Sequence, residues 1–167
     1  MLEFAMEYGG PLAIRYPRGT AYRGLKEFSQ PIAYGKGEML YEESGIALLA
    51  VGSMVSTGEH VRDKLKAEGY ACSLANGRFV KPFDRELVDR LASNHRLIVT
   101  MEENVLQGGY GLGVTAYVHA HYPQVKVLNI ALPDAYVEHG NVSLLREALK
   151  IDSDSIIRTM KEGGWIG

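Results

Sequence analysis

Gly45-Ile-Ala-Leu-Leu-Ala-Val-Gly52 is the stretch that decides the fold. Ile46 to Val51 is unbroken apolar sequence between two glycines, too short for a helix that must bury itself all round. A strand with one wet face would alternate apolar and polar residues. This one does not, so it reads as a strand covered on both faces, the habit of parallel sheets. Gly52-Ser53 then turns the chain, and Val55, Val61, Leu65 and Ala67 mark a helix over 55–68 that stops at Gly69.

Downstream the same alternation repeats. Tyr70 to Leu74 reads as a strand, and Pro82 and Asp84 open a helix through Ala92 with Leu87, Val88 and Leu91 on one side. Arg96 to Met101 reads as a third strand, Gly113 to His121 as a helix and Val125 to Leu132 as a fourth strand. Helices over 141–149 and 152–162 close the chain. Strands alternating with helices predict a three-layer α/β/α sandwich on a mainly parallel sheet of about five strands, counting Lys36 to Tyr41 as an edge strand.

Upstream of Gly45 the texture differs. Met1 to Tyr8 reads as the end of a helix, stopped by Gly9-Gly10-Pro11, and Leu12 to Tyr16 as a short strand ended by Pro17 and Gly19. These pieces are too small to form a core and have nothing local to pack against, so they read as the stub of an upstream domain. The expected division is a stub over 1–19, a linker with its edge strand over 20–44, and one real domain over 45–167. The stub and linker are expected to be more open to proteolysis than the domain.

The bulk numbers exclude several classes. A net charge of -2 without a basic run argues against a nucleic-acid binder. No apolar run approaches the ~20 residues of a membrane span, and Glu3 and Glu7 interrupt what would have to be a signal peptide. A cytoplasmic protein is the expectation. Cys72 is the single cysteine, so neither an intramolecular disulfide nor a thiolate zinc site can form. Its apolar strand setting suits a structural thiol.

Four groups of residues could carry chemistry. Gly111-Leu-Gly113-Val-Thr-Ala116 fits a dinucleotide fingerprint. It is separated from its strand by Glu102, Glu103 and a polar loop, however, and no acid stands at the expected later position. Its glycines instead suit a tight turn and a helix starting close to the sheet. Glu102-Glu103 end a strand and point different ways, which suits a charged interface or a helix cap better than an acid–base pair. His60, His95, His119 and His121 lack metal-ligand spacing. His139, in Val-Glu-His-Gly, is the least ordinary of the histidines, with a structural hydrogen bond the simplest role. Ser53 lacks the glycine of a nucleophile elbow. The strongest candidate is Arg15-Tyr-Pro-Arg-Gly19, because a guanidinium binds phosphate through a fixed fork and Pro17 stiffens the turn presenting Arg18. Surface or interdomain ion pairs are the alternative.

Four words occur in order: Gly10-Pro-Leu-Ala-Ile-Arg-Tyr-Pro-Arg-Gly19, Gly77-Arg-Phe-Val-Lys-Pro-Phe-Asp84, Thr100-Met-Glu-Glu-Asn104 with Gly108-Gly109, and Leu132-Pro-Asp134 with Glu138-His-Gly140. The set resembles the last quarter of the 1-deoxy-D-xylulose-5-phosphate synthase family, thiamine-diphosphate enzymes related to transketolase. The resemblance implies a parent homodimer that condenses pyruvate with D-glyceraldehyde 3-phosphate, releases carbon dioxide, and uses thiamine diphosphate and Mg2+. Its product feeds isoprenoid, thiamine and pyridoxal synthesis. It implies that residues 1–19 end the pyrimidine-binding domain and that 45–167 is a transketolase C-terminal-type domain supporting the dimer.

On that resemblance Arg18, with Tyr16 beside it, is expected to hold the substrate phosphate, and Arg15 reads as structural. Catalytic, cofactor-binding and metal-binding residues lie upstream and none is expected here. Met1 falls on an internal methionine of the family pattern, so the chain is expected to be a fragment, inactive by itself. The small departures, at Asn76 or Gly77 and at Leu112 where a serine is common, touch the last domain only. Two alternatives stay open: a non-catalytic dimerisation module, and a related enzyme such as a 2-oxo-acid dehydrogenase beta subunit. Arg18 argues against the second, since those enzymes hold no sugar phosphate.

Overall fold

A computed structural model describes residues 1–17 and 22–167. Five strands form one sheet: β1 (Glu38–Tyr41), β2 (Gly45–Ala50), β3 (Cys72–Asn76), β4 (His95–Val105) and β5 (Lys126–Leu132). Their order is β1-β3-β2-β4-β5, with only β1 antiparallel. The helices are α1 (Leu2–Glu7), α2 (Met54–Ala67), α3 (Arg85–Asn94), α4 (Tyr110–His121), α5 (Val142–Ala148) and α6 (Ser153–Glu162). The expected three-layer sandwich is what forms.

The strand read first is the centre of the sheet. Ile46, Leu48 and Ala50 point into one core with Met54, Val61 and Leu65 of α2 and Ile156 and Met160 of α6. Ala47, Leu49 and Val51 point into the other, with Leu87, Val88 and Leu91 of α3 and Val114 and Val118 of α4. Alternation sends successive side chains to opposite faces, so only a strand roofed by helices on both sides tolerates an all-apolar run. Each fully buried Leu or Ile there contributes about 1.5–3 kcal/mol.

Asp84 caps α3, accepting from the Leu87 backbone N–H at 3.2 Å, and accepts from Gly37 N–H at 3.0 Å, which fixes the entry to β1. Asn141 and Asp152 cap α5 and α6 in the same way. Arg78 pairs with buried Glu38 and donates to the carbonyls of Gln30 and Pro31, tying residues 30–31 to the sheet edge. His95, the first residue of β4, is a buried hydrogen-bonding histidine, 2.8 Å from both the Leu91 carbonyl and Ser73 Oγ.

Three expectations are corrected. Leu12 to Tyr16 is not a strand, because a strand needs a neighbour's backbone groups and no ladder reaches this segment. Nor is the stub without partners: Phe4 meets Phe79 edge-on at 5.6 Å, and Tyr8 stacks on Tyr34 at 4.9 Å. Helix α4 begins at Tyr110 rather than Gly113. Its glycines are poor helix formers, but Gly111 is needed for close approach to the sheet. A Cβ there would stand 2.5 Å from Thr100 Oγ1 and 2.6 Å from Asn129 Oδ1. The apparent dinucleotide fingerprint is therefore helix body, packed at Gly111 on β4 and β5.

Candidate functional site

The chain crosses from β2 to β3 through α2 on one face. It then returns past β2 to β4 through α3 on the other face, and reaches β5 through α4 on that same face. The loops leaving the carboxyl ends of β2 and β4 therefore part to opposite sides. In open α/β sheets this parting makes the crevice where ligands gather. Here the crevice is bordered by Ser53 after β2 and by Glu102 and Glu103 at the end of β4.

The two glutamates divide the work. Strand alternation turns Glu102 inward, where it is 3% exposed, and its carboxylate accepts from the backbone N–H of Tyr110 at 2.9 Å and of Gly111 at 2.8 Å. It thus supplies the side-chain cap that Gly109 cannot give to α4. Of the roles open to Glu102 from sequence, helix capping is the one it fills.

Glu103 turns the other way, into the crevice. Ser53 donates its hydroxyl to Oε2 at 2.5 Å. Arg146 of α5 donates from Nε to Oε1 at 3.1 Å and from Nη2 to Oε2 at 3.3 Å. The backbone carbonyl of Glu103 accepts from Arg15 Nη2 at 2.7 Å. Four separate segments thus meet at one residue, and Arg15 is brought to the carboxyl edge of the sheet.

Of the predicted site residues, Tyr16 stands in this segment with its side chain 79% exposed. Arg18 lies outside the described residues. Arg15, read as structural, is the member seen making a long-range bond. His139 is exposed in the loop before α5. Sequence reasoning missed Arg146 and set Ser53 aside as a failed nucleophile. Neither carries a local pattern that would mark it.

Chemistry elsewhere is limited. Burial pushes the Cys72 thiol up to about 12, so it is no nucleophile near neutral pH. Burial also raises the Tyr110 hydroxyl. Among the described residues no group of three His, Cys, Asp or Glu side chains is placed to hold a metal. In the first turn of α4, Gly111 is closed against Thr100 and Asn129. No described helix is long and apolar enough to cross a membrane.

Comparison with known proteins agrees with this architecture. Residues 35–156 match the family model for the transketolase C-terminal domain. A 1-deoxy-D-xylulose-5-phosphate synthase of Lachnoclostridium phytofermentans is 47% identical over 94% of this chain and 25% of its own length. That of Heliobacterium modesticaldum is 40% identical over 97% of this chain, again 25% of its own length. The chain therefore spans about a quarter of the curated relatives it matches. A solved structure described as a split gene transketolase, inactive beta4 tetramer, superposes with a TM-score of 0.75 at 26% identity, covering 81% of this chain and 45% of that one. The chain belongs to the transketolase C-terminal domain family and, along nearly its whole length, is similar to the C-terminal part of 1-deoxy-D-xylulose-5-phosphate synthases.

Proposed function

We propose that this chain is the C-terminal part of a 1-deoxy-D-xylulose-5-phosphate synthase, a cytoplasmic homodimeric transferase. The complete enzyme joins pyruvate to D-glyceraldehyde 3-phosphate with loss of carbon dioxide. The observation that carries this reading is 47% identity to such a synthase over 94% of the chain. On this reading residues 1–19 end the pyrimidine-binding domain, 20–44 link, and 45–167 form the dimer-supporting domain. Thiamine diphosphate and Mg2+, which supply the carbanion chemistry, are held by upstream residues, and the fragment alone is inactive. The inactive tetramer of the related split-gene transketolase chain supports that last point.

Arg18, with Tyr16 beside it, is proposed as the ligand of the aldehyde's phosphate. A planar guanidinium satisfies two phosphate oxygens at once and keeps its charge at any working pH. Losing such a charge-assisted contact costs roughly 2–4 kcal/mol. In the complete enzyme, Arg18→Ala should therefore raise KM for D-glyceraldehyde 3-phosphate about 30-fold or more while leaving KM for pyruvate within about twofold. Equal effects on both substrates would rule out the phosphate role.

A further inference from the structure

We propose that the outer edge of β5 is an interface between two copies of this chain, joined strand to strand about a two-fold axis. The inference deepens the dimer-supporting role proposed above for residues 45–167 by naming the surface. Strand β5 (Lys126–Leu132) ends the sheet, with β4 as its one neighbour. Among the described residues no main-chain hydrogen bond reaches β5 from any segment other than β4. Alternate N–H and C=O groups therefore face outward, a template for another strand.

The two edges of the sheet are built differently. At the far edge β1 has four residues and an irregular register between Met39 and Tyr41. Shortness and bulging both discourage pairing with another chain. Strand β5 has seven residues, Lys-Val-Leu-Asn-Ile-Ala-Leu, with no proline and a single charge at its first position. Two cavities, of about 450 and 400 Å³, flank it. One has among its walls Asn129, bonded to Thr115 of α4, and Leu149, which packs on the opposite core. The other has His119 of α4 and Trp165, which packs on that same opposite core. Hollows walled from both sides of a sheet open past its edge strand, so the edge is accessible along its length.

The sequence of β5 complements itself, which selects a second copy as the occupant. The antiparallel register that pairs all seven residues sets Asn129 opposite Asn129, Leu128 opposite Ile130 and Val127 opposite Ala131. The last two pairs are apolar, and opposed side chains in a ladder share a face and touch. Lys126 then stands opposite Leu132 and diagonal to Asp134, a separation of about 7–8 Å that a lysine side chain spans. Lys126 and Asp134 are both exposed, and among the described residues neither has an ion-pair partner within its own chain. The two-fold axis repeats the Lys126–Asp134 pair at the other end of the strand. It also sets each cavity of one copy against the other cavity of the second.

Sedimentation equilibrium of the 167-residue chain, from about 1 to 500 µM, should show a monomer–dimer equilibrium. Lys126→Glu and Asp134→Lys should each weaken the dimer at least about tenfold, because each change acts twice across the axis. The variant carrying both changes should return to within about threefold of wild type, since the pair is then only reversed. Deuterium exchange gives a second readout. Alternate amides between Val127 and Leu132 should slow as the chain is concentrated, and exchange fast again in Lys126→Glu. A chain that stays monomeric to about 500 µM would overturn the interface. So would a dimer whose β5 amides exchange at the monomer's rate, or a double variant as weak as the single ones. None of these outcomes bears on the synthase reading, which Arg18→Ala tests in the complete enzyme.

Discussion

Replacing Glu102 with alanine separates a structural carboxylate from a catalytic one. The side chain is 3% exposed and accepts two backbone N–H bonds, at 2.8 and 2.9 Å, from the first turn of α4. A hydrogen bond to a charged group contributes about 1.5–3 kcal/mol, and the donors left behind are buried. The pair is therefore worth about 3–6 kcal/mol, with the helix dipole acting in the same direction. For a chain of this size each kcal/mol moves the melting temperature about 2–4 °C, so Glu102→Ala should lower Tm by at least about 6 °C. Glu102→Gln should recover only part of this, because its amide nitrogen presents a donor to one of the two backbone donors. Thermal unfolding followed by far-ultraviolet circular dichroism measures the shift. A fall of less than about 2 °C for the alanine variant would refute the capping account and return Glu102 to the list of candidate catalytic groups.

Two further outcomes follow from buried or paired groups. With its thiol pushed up to about 12 by burial, Cys72 is ionised to only about one part in ten thousand at pH 8; it should resist a disulfide reagent in the folded chain and react within minutes in denaturant, and rapid labelling of the native protein would contradict this. Glu43 is held below the ordinary glutamate range chiefly by the Lys66 ammonium at 2.5 Å, with the Cys72 N–H and Arg62 helping and burial opposing. A depressed folded value means that its stabilisation is present above the ordinary value of 4.5 and is lost as pH falls through the lower folded value. The Tm difference between wild type and Glu43→Gln should therefore be largest near neutral pH and shrink toward pH 3; a difference independent of pH would show that the pairing does not act through proton linkage.

Glu103 joins parts of the chain that lie far apart in sequence. Its members come from the loop after β2, the end of β4, helix α5 and the segment at Arg15. Each is ordinary alone. Ser53 donates a hydroxyl, Arg146 forms a partly exposed ion pair, and Arg15 bonds a carbonyl. They meet at the switch point of the sheet.

Much of this protein was written in local sequence. The apolar run Ile46 to Val51 identified a strand roofed on both faces, because alternation leaves no other place for six successive apolar side chains. Asp84 marked a helix start, since a short polar side chain satisfies the free N–H groups of a first turn, as Asn141 and Asp152 also do in the structure. Those signals depend on neighbours a few residues away. The start of α4 was hidden by glycines whose purpose is contact with Thr100 and Asn129, and the full length of β4 by a glutamate that the sheet buries. Strand order was decided by the handed crossovers, which no single segment encodes. The same crossovers bring Arg15, Ser53 and Arg146 to Glu103 across 88, 50 and 43 residues. Pattern in a sequence records what each residue needs from its own turn or strand; which distant residues meet is settled only when the layers pack.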